Sequence, residues 1–442
     1  MQDAYDNSFL SLNELCSGLR TTYAIPSEQF DNPNIKRGLR NADGTGVIAG
    51  VTRVGSVLGY QVQDGVPVPV EGKLIYRGID VLDIVDRHQA NNTFGFEEVA
   101  YLLLFGSVPD AERLASFDEI LSHARKLPDG FTEDMIIKAP SPDVMNKIAR
   151  CVLALYSYDH DPDNLTPENL VRQCIELIGR LPVIVANADA VRRHYYNGES
   201  LIIHVPQKGL SVAENLLHML RRDNSFTREE AMLLDMMLIL HADHGGGNNS
   251  TFSCRVISSS NADTYGCISA AVSSLKGPLH GGANAKTMAM FRDIQAHVTD
   301  PLDDDEVYCY LKKMLDKEAG DRTGLIYGLG HAVYTVSDPR ALLIKKYVKN
   351  LASRYNYTDD FELMERIEIQ GLRALHDKLG GRKKVCANVD MYSGLVYKML
   401  GFPEELYTPL FAISRIAGWC AHRIEEAMTG GRIIRPAYRV IP

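Results

Sequence analysis

The sequence predicts a mainly α-helical protein with one small β element, on three observations. Helix-start signals recur along most of the chain. Strand-forming text is concentrated in residues 46–76. No internal repeat or low-complexity segment breaks the pattern. The chain has 442 residues, 45% of them hydrophobic and 23% charged, so it can bury a large core. That length suggests two or three domains.

The elements follow in chain order. The first 45 residues are polar, with a moderately amphipathic start. Residues 46–60 (GVIAGVTRVGSVLGY) and 73–76 (KLIY) are rich in Val, Ile and Gly, which predicts short strands or a hairpin. After Asp80 the text is helical almost throughout. Thr166-Pro167-Glu168 opens a helix over 169–196, with proline at an early position where its missing N–H costs nothing. Thr227-Arg228-Glu229-Glu230 is a capping box ahead of 231–240. Residues 266–276 form a helix rich in small residues, ended by Pro278. Asp338 caps a helix that has Pro339 at its first position. Pro403-Glu404-Glu405 opens a long run to about Met428.

The segment 285–385 is more charged than its flanks, with an acidic run at 303–306 and a basic run at 382–384. It is expected to be a small helical domain inserted into a large one made of 46–284 and 386–442, with 1–45 as an N-terminal extension. His280 and Asp390 then lie near the two crossings, where clefts and hinges form.

A net charge of −9 argues against a nucleic-acid binder. It leaves room for an anionic small substrate, because local arginines set a pocket's field. The eight cysteines form no CxxC motif and are expected to be reduced thiols, as in the cytoplasm. No run of 18 apolar residues spans a membrane, and the acidic start carries neither a secretory nor a mitochondrial leader pattern.

Three segments carry chemistry: GPLHGGAN around His280, GLGHAVY around His331, and NVDMYSG around Asp390. Glycines and small residues frame each polar group, which permits sharp turns and close backbone approach. Taken alone, His280 reads equally as a hydrogen-bonded core histidine, and Asp390 as a turn aspartate. The His331 segment lacks the lysine and hydroxyl of a phosphate loop, which argues against nucleotide hydrolysis. His241 and His244 have HxxH spacing, which puts both rings on roughly one helical face. That spacing departs from the metalloprotease pattern, so no metal is expected. Residues 245–250 (GGGNNS) form a glycine-rich turn into a helix capped at Ser250, either an anion site or a plain turn. Arg415 stands in the apolar stretch 410–419, so it must meet a carboxylate or bind an anion. Arg435 lies in the tail, where an arginine is usually solvated or touches another subunit.

Together the motifs HADH-GGGN, GPLHGGAN, GLGHAVY-TVSDPR, NVDMYSG, FAISRIAGW and RIIRP resemble the citrate synthase family, over residues 46–436. The resemblance implies a two-domain helical fold, a homodimer, and a site in the interdomain cleft. It implies an acyltransferase of the tricarboxylic acid cycle that condenses acetyl-CoA with oxaloacetate and hydrolyses citryl-CoA to citrate and CoA. By position it implies His280, His331 and Asp390 as catalytic residues. It implies His244, Asn248, Arg340 and Arg415 as substrate-binding residues, with Arg435 supplied across the dimer interface. Acetyl-CoA is then a substrate and no cofactor is implied. Ala332 and Thr335 stand where many bacterial members carry basic residues, so Lys345, Lys346 and Lys349 are the alternative contacts for CoA phosphates. The competing readings are a 2-methylcitrate synthase using propionyl-CoA, a non-catalytic helical scaffold, and a metal hydrolase built on His241 and His244.

Overall fold

The computed structural model describes residues 16, 18–41, 43–381, 384–429 and 431–441. The amphipathic start up to residue 15, Arg382 and Lys383 of the basic run, and Gly430 lie outside the described residues. The described chain divides into two compact units, one ending at Gly50 and the other beginning at Val51. The first unit holds a single helical turn, Leu19–Thr22, two 3-10 turns, Ser27–Phe30 and Arg37–Leu39, and a bridge between Arg40 and Gly46.

The second unit opens with the predicted β element. Strands β1 (Gly55–Gln63) and β2 (Val66–Tyr76) pair antiparallel, with an irregularity between Leu58 and Tyr60, and the short β3 (Ile79–Asp80) pairs with β2. The strand text begins nine residues before β1 does. Ile48 and Val51 are almost fully exposed, and β-forming side chains without a partner strand build no ladder.

Helices then follow as far as Met428. They are α1 (Val81–Asn91), α2 (Phe96–Phe105), α3 (Ala111–Ala124), α4 (Val144–Ala154) and α5 (Pro167–Asn197). Next come α6 (Val212–Leu220), α7 (Arg228–His241), α8 (Asn249–Ser258), α9 (Thr264–Leu275) and α10 (Ala283–His297). The last are α11 (Asp304–Leu315), α12 (Pro339–Leu351), α13 (Thr358–Leu379), α14 (Asp390–Met399) and α15 (Tyr407–Met428). The Thr227–Glu230 capping box is formed in full at α7, and Asp338 caps α12 by accepting the Arg340 N–H. Helix α8 starts two residues earlier than expected, with Asn248 rather than Ser250 as its cap. The Ser250 hydroxyl is engaged inside the protein instead.

Helix α15 is the axis of the core. Nearly every residue from Tyr407 to Ile424 is buried, and the helix packs on α2, α5, α7, α8 and α9. At Gly418 the backbone N–H donates to Ala242 O at 3.0 Å, and a Cβ there would strike that same carbonyl. A glycine is therefore required for α15 to lie backbone-to-backbone against the end of α7. That approach sets Arg415, one turn earlier, against the last residue of α7. Among the described residues, no helix is long and apolar enough to cross a membrane.

Candidate active site

Four segments assemble the site. The first is the end of α7. The helix stops at His241, so His241 and His244 do not share a helical face. The His241 Nδ1 contacts Met237 O at 2.8 Å and its ring packs edge-on against Phe411. His244 turns away, with its ring centroid 5.1 Å from that of His331. His244 is buried and its Nε2 has no protein partner. Burial, followed by the fields of Arg340, His331 and Arg415, holds its pKa well below the usual imidazole range. A neutral ring with an unused buried nitrogen suits a ligand hydrogen bond.

The second segment carries His280, in the turn between α9 and α10. Gly281 N–H donates to Leu275 O at 3.0 Å, and a Cβ at Gly281 would strike that carbonyl. The imidazole Nε2 lies 3.0 Å from Ser250 Oγ, which also accepts from the Trp419 indole N–H at 3.2 Å and contacts Asn248 Oδ1 at 2.9 Å. Asn248 therefore enters through Ser250. Burial and then Arg415 push the His280 pKa down to about 4, so the ring is neutral at physiological pH.

The third and fourth segments are tied together. Leu329 bridges Ala387, Gly330 N–H donates to Cys386 O at 2.8 Å, and Asn388 N–H donates to Gly328 O at 2.9 Å. Gly328 and Gly330 have φ of 84° and 94°, a conformation that a side chain disfavours. Asn388 completes the joint: its Nδ2–H donates to Gly330 O at 2.8 Å and its Oδ1 accepts the Asp390 N–H at 2.9 Å. One side chain thus fixes both the loop bearing His331 and the start of α14 bearing Asp390. The His331 Nδ1 accepts N–H bonds from Val333 and Tyr334, both at 3.0 Å. A nitrogen that accepts two N–H bonds carries no proton, so the proton sits on Nε2.

Asp390 is the first residue of α14, and its carboxyl makes no hydrogen bond or ion pair among the described residues. Burial, which outweighs the attraction of Arg340 and Arg415, pushes its pKa up to about 7. A desolvated carboxyl poised near neutrality matches the requirement for a general base.

The arginines differ. Arg340 grips Asp338 with two bonds, Nε to Oδ1 at 3.0 Å and Nη2 to Oδ2 at 2.7 Å. Burial works against its charge, but Asp338 outweighs burial and holds its pKa above the usual value. Arg415 is fully buried. Its Nε donates to His241 O at 2.5 Å, its guanidinium lies 4.7 Å from the Phe411 ring centroid, and Nη1 and Nη2 have no protein partner. Burial lowers its pKa to about 10, so it remains a cation. The field of Arg415 reaches His244, His280 and Asp390 alike.

Arg435 is not part of this cluster within the chain. It is exposed, on an extended tail held by the Ile434 N–H to Ser259 Oγ bond at 3.0 Å. Lys345, expected as an alternative CoA phosphate contact, is engaged with Glu365 and Glu368. Among the described residues, no group of three or more His, Cys, Asp or Glu is arranged to hold a metal ion.

The family profile described as "Citrate synthase, C-terminal domain" matches residues 43–437. The chain belongs to the citrate synthase family. It is therefore an acyltransferase-type enzyme rather than a non-catalytic scaffold or a metal hydrolase. A citrate synthase of Deinococcus radiodurans is 34% identical over 369 residues, 83% of this chain and 89% of that protein. The 2-methylcitrate synthase 1 of Corynebacterium glutamicum is 32% identical over 412 residues, 92% of this chain and 95% of that protein. In three dimensions the chain is similar to the citrate synthase of Thermoplasma acidophilum, in a ternary complex with carboxymethyl coenzyme A and oxaloacetate. The TM-score is 0.73 at 29% identity, covering 92% of this chain and 96% of that one. The fold class predicted from sequence is that of this family.

Several supporting roles carry no local sequence signal. Ser250 and Trp419, which hold His280, are 169 positions apart. The fully buried His422 donates through Nε2 to Asp243 Oδ1 at 3.1 Å, because its Nδ1 accepts from Arg255. Asp243 Oδ2 in turn accepts the Gly245 N–H at 2.9 Å, which shapes the turn after His244.

Proposed function

We propose that this enzyme is a citrate synthase. It condenses acetyl-CoA with oxaloacetate and hydrolyses citryl-CoA to citrate and CoA. The observation that carries this reading is the Arg415 fork: a fully buried cation with two unused nitrogens, beside two neutral imidazoles and an unpartnered carboxyl. A buried unpaired cation is costly unless an anion completes it, and a carboxylate matches two parallel N–H groups.

Oxaloacetate binds with its carboxylates toward Arg415 and Arg340, and His244 helps to orient it. His331 donates its Nε2–H to the keto oxygen, polarises the carbonyl, and protonates the alkoxide that forms. Asp390 takes a proton from the thioester methyl group. That carbon is a very weak acid, so the enolate oxygen must be stabilised in the same step. His280 supplies that hydrogen bond. Trp419 already donates to Ser250 Oγ, so the single Ser250 proton goes either to Asn248 or to His280 Nε2. The chemistry requires the second arrangement, with the Asn248 amide turned so that its Nδ2–H donates to Ser250 Oγ, which leaves the His280 Nδ1–H free to donate to the thioester oxygen. Imidazole, carboxylate and guanidinium carry every proton and charge in this scheme, so it calls for no metal and no cofactor beyond the acyl-CoA substrate.

The site is proposed to lie in a cleft between a large domain, 46–284 with 386–442, and a small domain, 285–385. Closure of that cleft excludes water until hydrolysis. The protein is proposed to act as a cytoplasmic homodimer, in keeping with its eight free thiols. The exposed tail would carry Arg435 into the partner's site. Mixing inactive Arg435→Ala subunits with inactive His280→Ala subunits should then restore part of the activity. No recovery would count against a shared site.

A 2-methylcitrate synthase is the second reading, favoured by the longer match to the Corynebacterium glutamicum enzyme. The two differ by one methylene of acyl pocket, worth about 1–3 kcal/mol or roughly 10–200-fold. Comparing kcat/KM for acetyl-CoA and propionyl-CoA decides between them, and a preference for propionyl-CoA would sink the first.

A further inference from the structure

The β1–β2 hairpin has no part in the chemistry above, yet its inner half lies against the segments that bear His244 and His331. Three of its glycines face them with no room for a side chain. A Cβ on Gly59 would lie 2.5 Å from Val333 O, just past His331. A Cβ on Gly72 would strike Ser337 O, and one on Gly55 would strike the Asp243 carboxylate, next to His244.

Polar contacts follow the same path independently. The Tyr76 hydroxyl reaches the end of α7, at 3.0 Å from Ile239 O and 3.2 Å from both Asp243 O and Asp243 N. The Tyr334 hydroxyl donates to Lys73 O at 3.3 Å, while the Tyr334 ring stacks on His331 with centroids 4.6 Å apart. Gly72 N–H donates to Ser337 Oγ at 3.2 Å, and that hydroxyl donates to Glu71. The outer half of the hairpin is different: Val62 and Val66 are mostly exposed.

We propose that this hairpin is the positioning element for the His244–His331 pair. Gly55, Gly59 and Gly72 set the separation, and Tyr76 and Tyr334 set the orientation in which the pair receives a 2-keto dicarboxylate. The two histidines come from segments 87 positions apart, and the hairpin is a single rigid piece that touches both. The inference rests on the functional reading above, in which this pair binds oxaloacetate.

The test uses the full-length protein and four variants: Gly59→Ala, Gly72→Ala, Tyr334→Phe and Val62→Ser. Oxaloacetate affinity is read by calorimetry without acyl-CoA, and KM is read for each substrate. Gly59→Ala and Gly72→Ala should raise the oxaloacetate Kd and KM by about tenfold or more. KM for acyl-CoA should stay within about twofold. Tyr334→Phe keeps the ring and loses one hydrogen bond, so the oxaloacetate values should rise about threefold. Val62→Ser should match the wild type. If the glycine variants do not fold, Tyr334→Phe decides alone. A folded Tyr334→Phe or Gly59→Ala with wild-type oxaloacetate affinity would overturn the proposal, as would an equal loss in Val62→Ser. Failure of the wild-type protein to bind oxaloacetate would instead remove the functional reading itself.

Discussion

Arg340 and Arg415 are almost equally buried, at 3% and 0% exposure, yet only one arrives with its counter-ion. Arg340 is clasped by Asp338 through two bonds. Arg415 spends one N–H on a carbonyl and leaves its two terminal nitrogens unpaired. The paired arginine belongs to the fold as much as to the site. The unpaired one keeps two terminal nitrogens for a ligand, and its field reaches three of the groups proposed to do the chemistry.

The largest expected effect separates these roles. Arg415→Leu should lower kcat/KM for oxaloacetate by about a hundredfold or more, because two charged hydrogen bonds to the ligand are lost. Its ligand-free thermal midpoint should change little, since a costly buried charge is removed along with the bond to His241. Arg340→Leu should do the opposite to the fold. It strands the Asp338 carboxylate in the interior, at a cost of about 3–5 kcal/mol. Chemical denaturation of both variants measures this contrast. Equal destabilisation would erase it.

The pH dependence sharpens the same contrast. The Asp390 pKa is raised to about 7, mainly by burial. The base form is therefore lost as pH falls, and kcat/KM for acyl-CoA should drop about tenfold per unit below pH 7. The His280 pKa, near 4, lies outside that window and contributes no limb to it. Arg415 pulls the Asp390 pKa down, so residual activity in Arg415→Leu should show its acid limb at higher pH. The linkage to stability has the matching sign. A carboxyl whose folded pKa exceeds its unfolded value favours the fold when protonated, and that contribution is lost as pH rises through 7. Asp390→Asn should therefore be more stable than the wild type at pH 8 and nearly equal to it at pH 4. No difference at pH 8 would contradict the assigned shift.

The smallest expected effect concerns His280. Ser250→Ala removes the partner of its Nε2 and orphans the Trp419 indole N–H. That should cost about 1–3 kcal/mol of stability and lower kcat about tenfold, with oxaloacetate affinity kept. Ser250→Thr, which restores a hydroxyl, should recover part of kcat.

Much of this was legible in the chain because it is local. The caps at Thr227 and Asp338 work within three residues, so sequence spacing reveals them. Gly328 and Gly330 announced a turn that only positive φ permits. Arg415 stood out as a charge in apolar text. What pairs with it did not, because pairing is tertiary. Asp338 read as a helix cap, and nothing in the chain showed that its carboxylate also neutralises Arg340. Ser250 read as a cap and proved to be an internal partner of His280 and Trp419. HxxH spacing placed His241 and His244 on one helix, but α7 ends at the first of them, and the second faces His331. The strand text at 46–54 had the composition of a strand, but its pairing stops at the single bridge between Gly46 and Arg40.

Titrating oxaloacetate into the wild-type protein and into Arg415→Leu, with no acyl-CoA present, tests most directly whether the unpaired guanidinium is the ligand anchor. Binding to the wild type should be saturable, and affinity about a hundredfold weaker or lost in a variant that remains folded. Equal affinity in the two proteins would contradict that role.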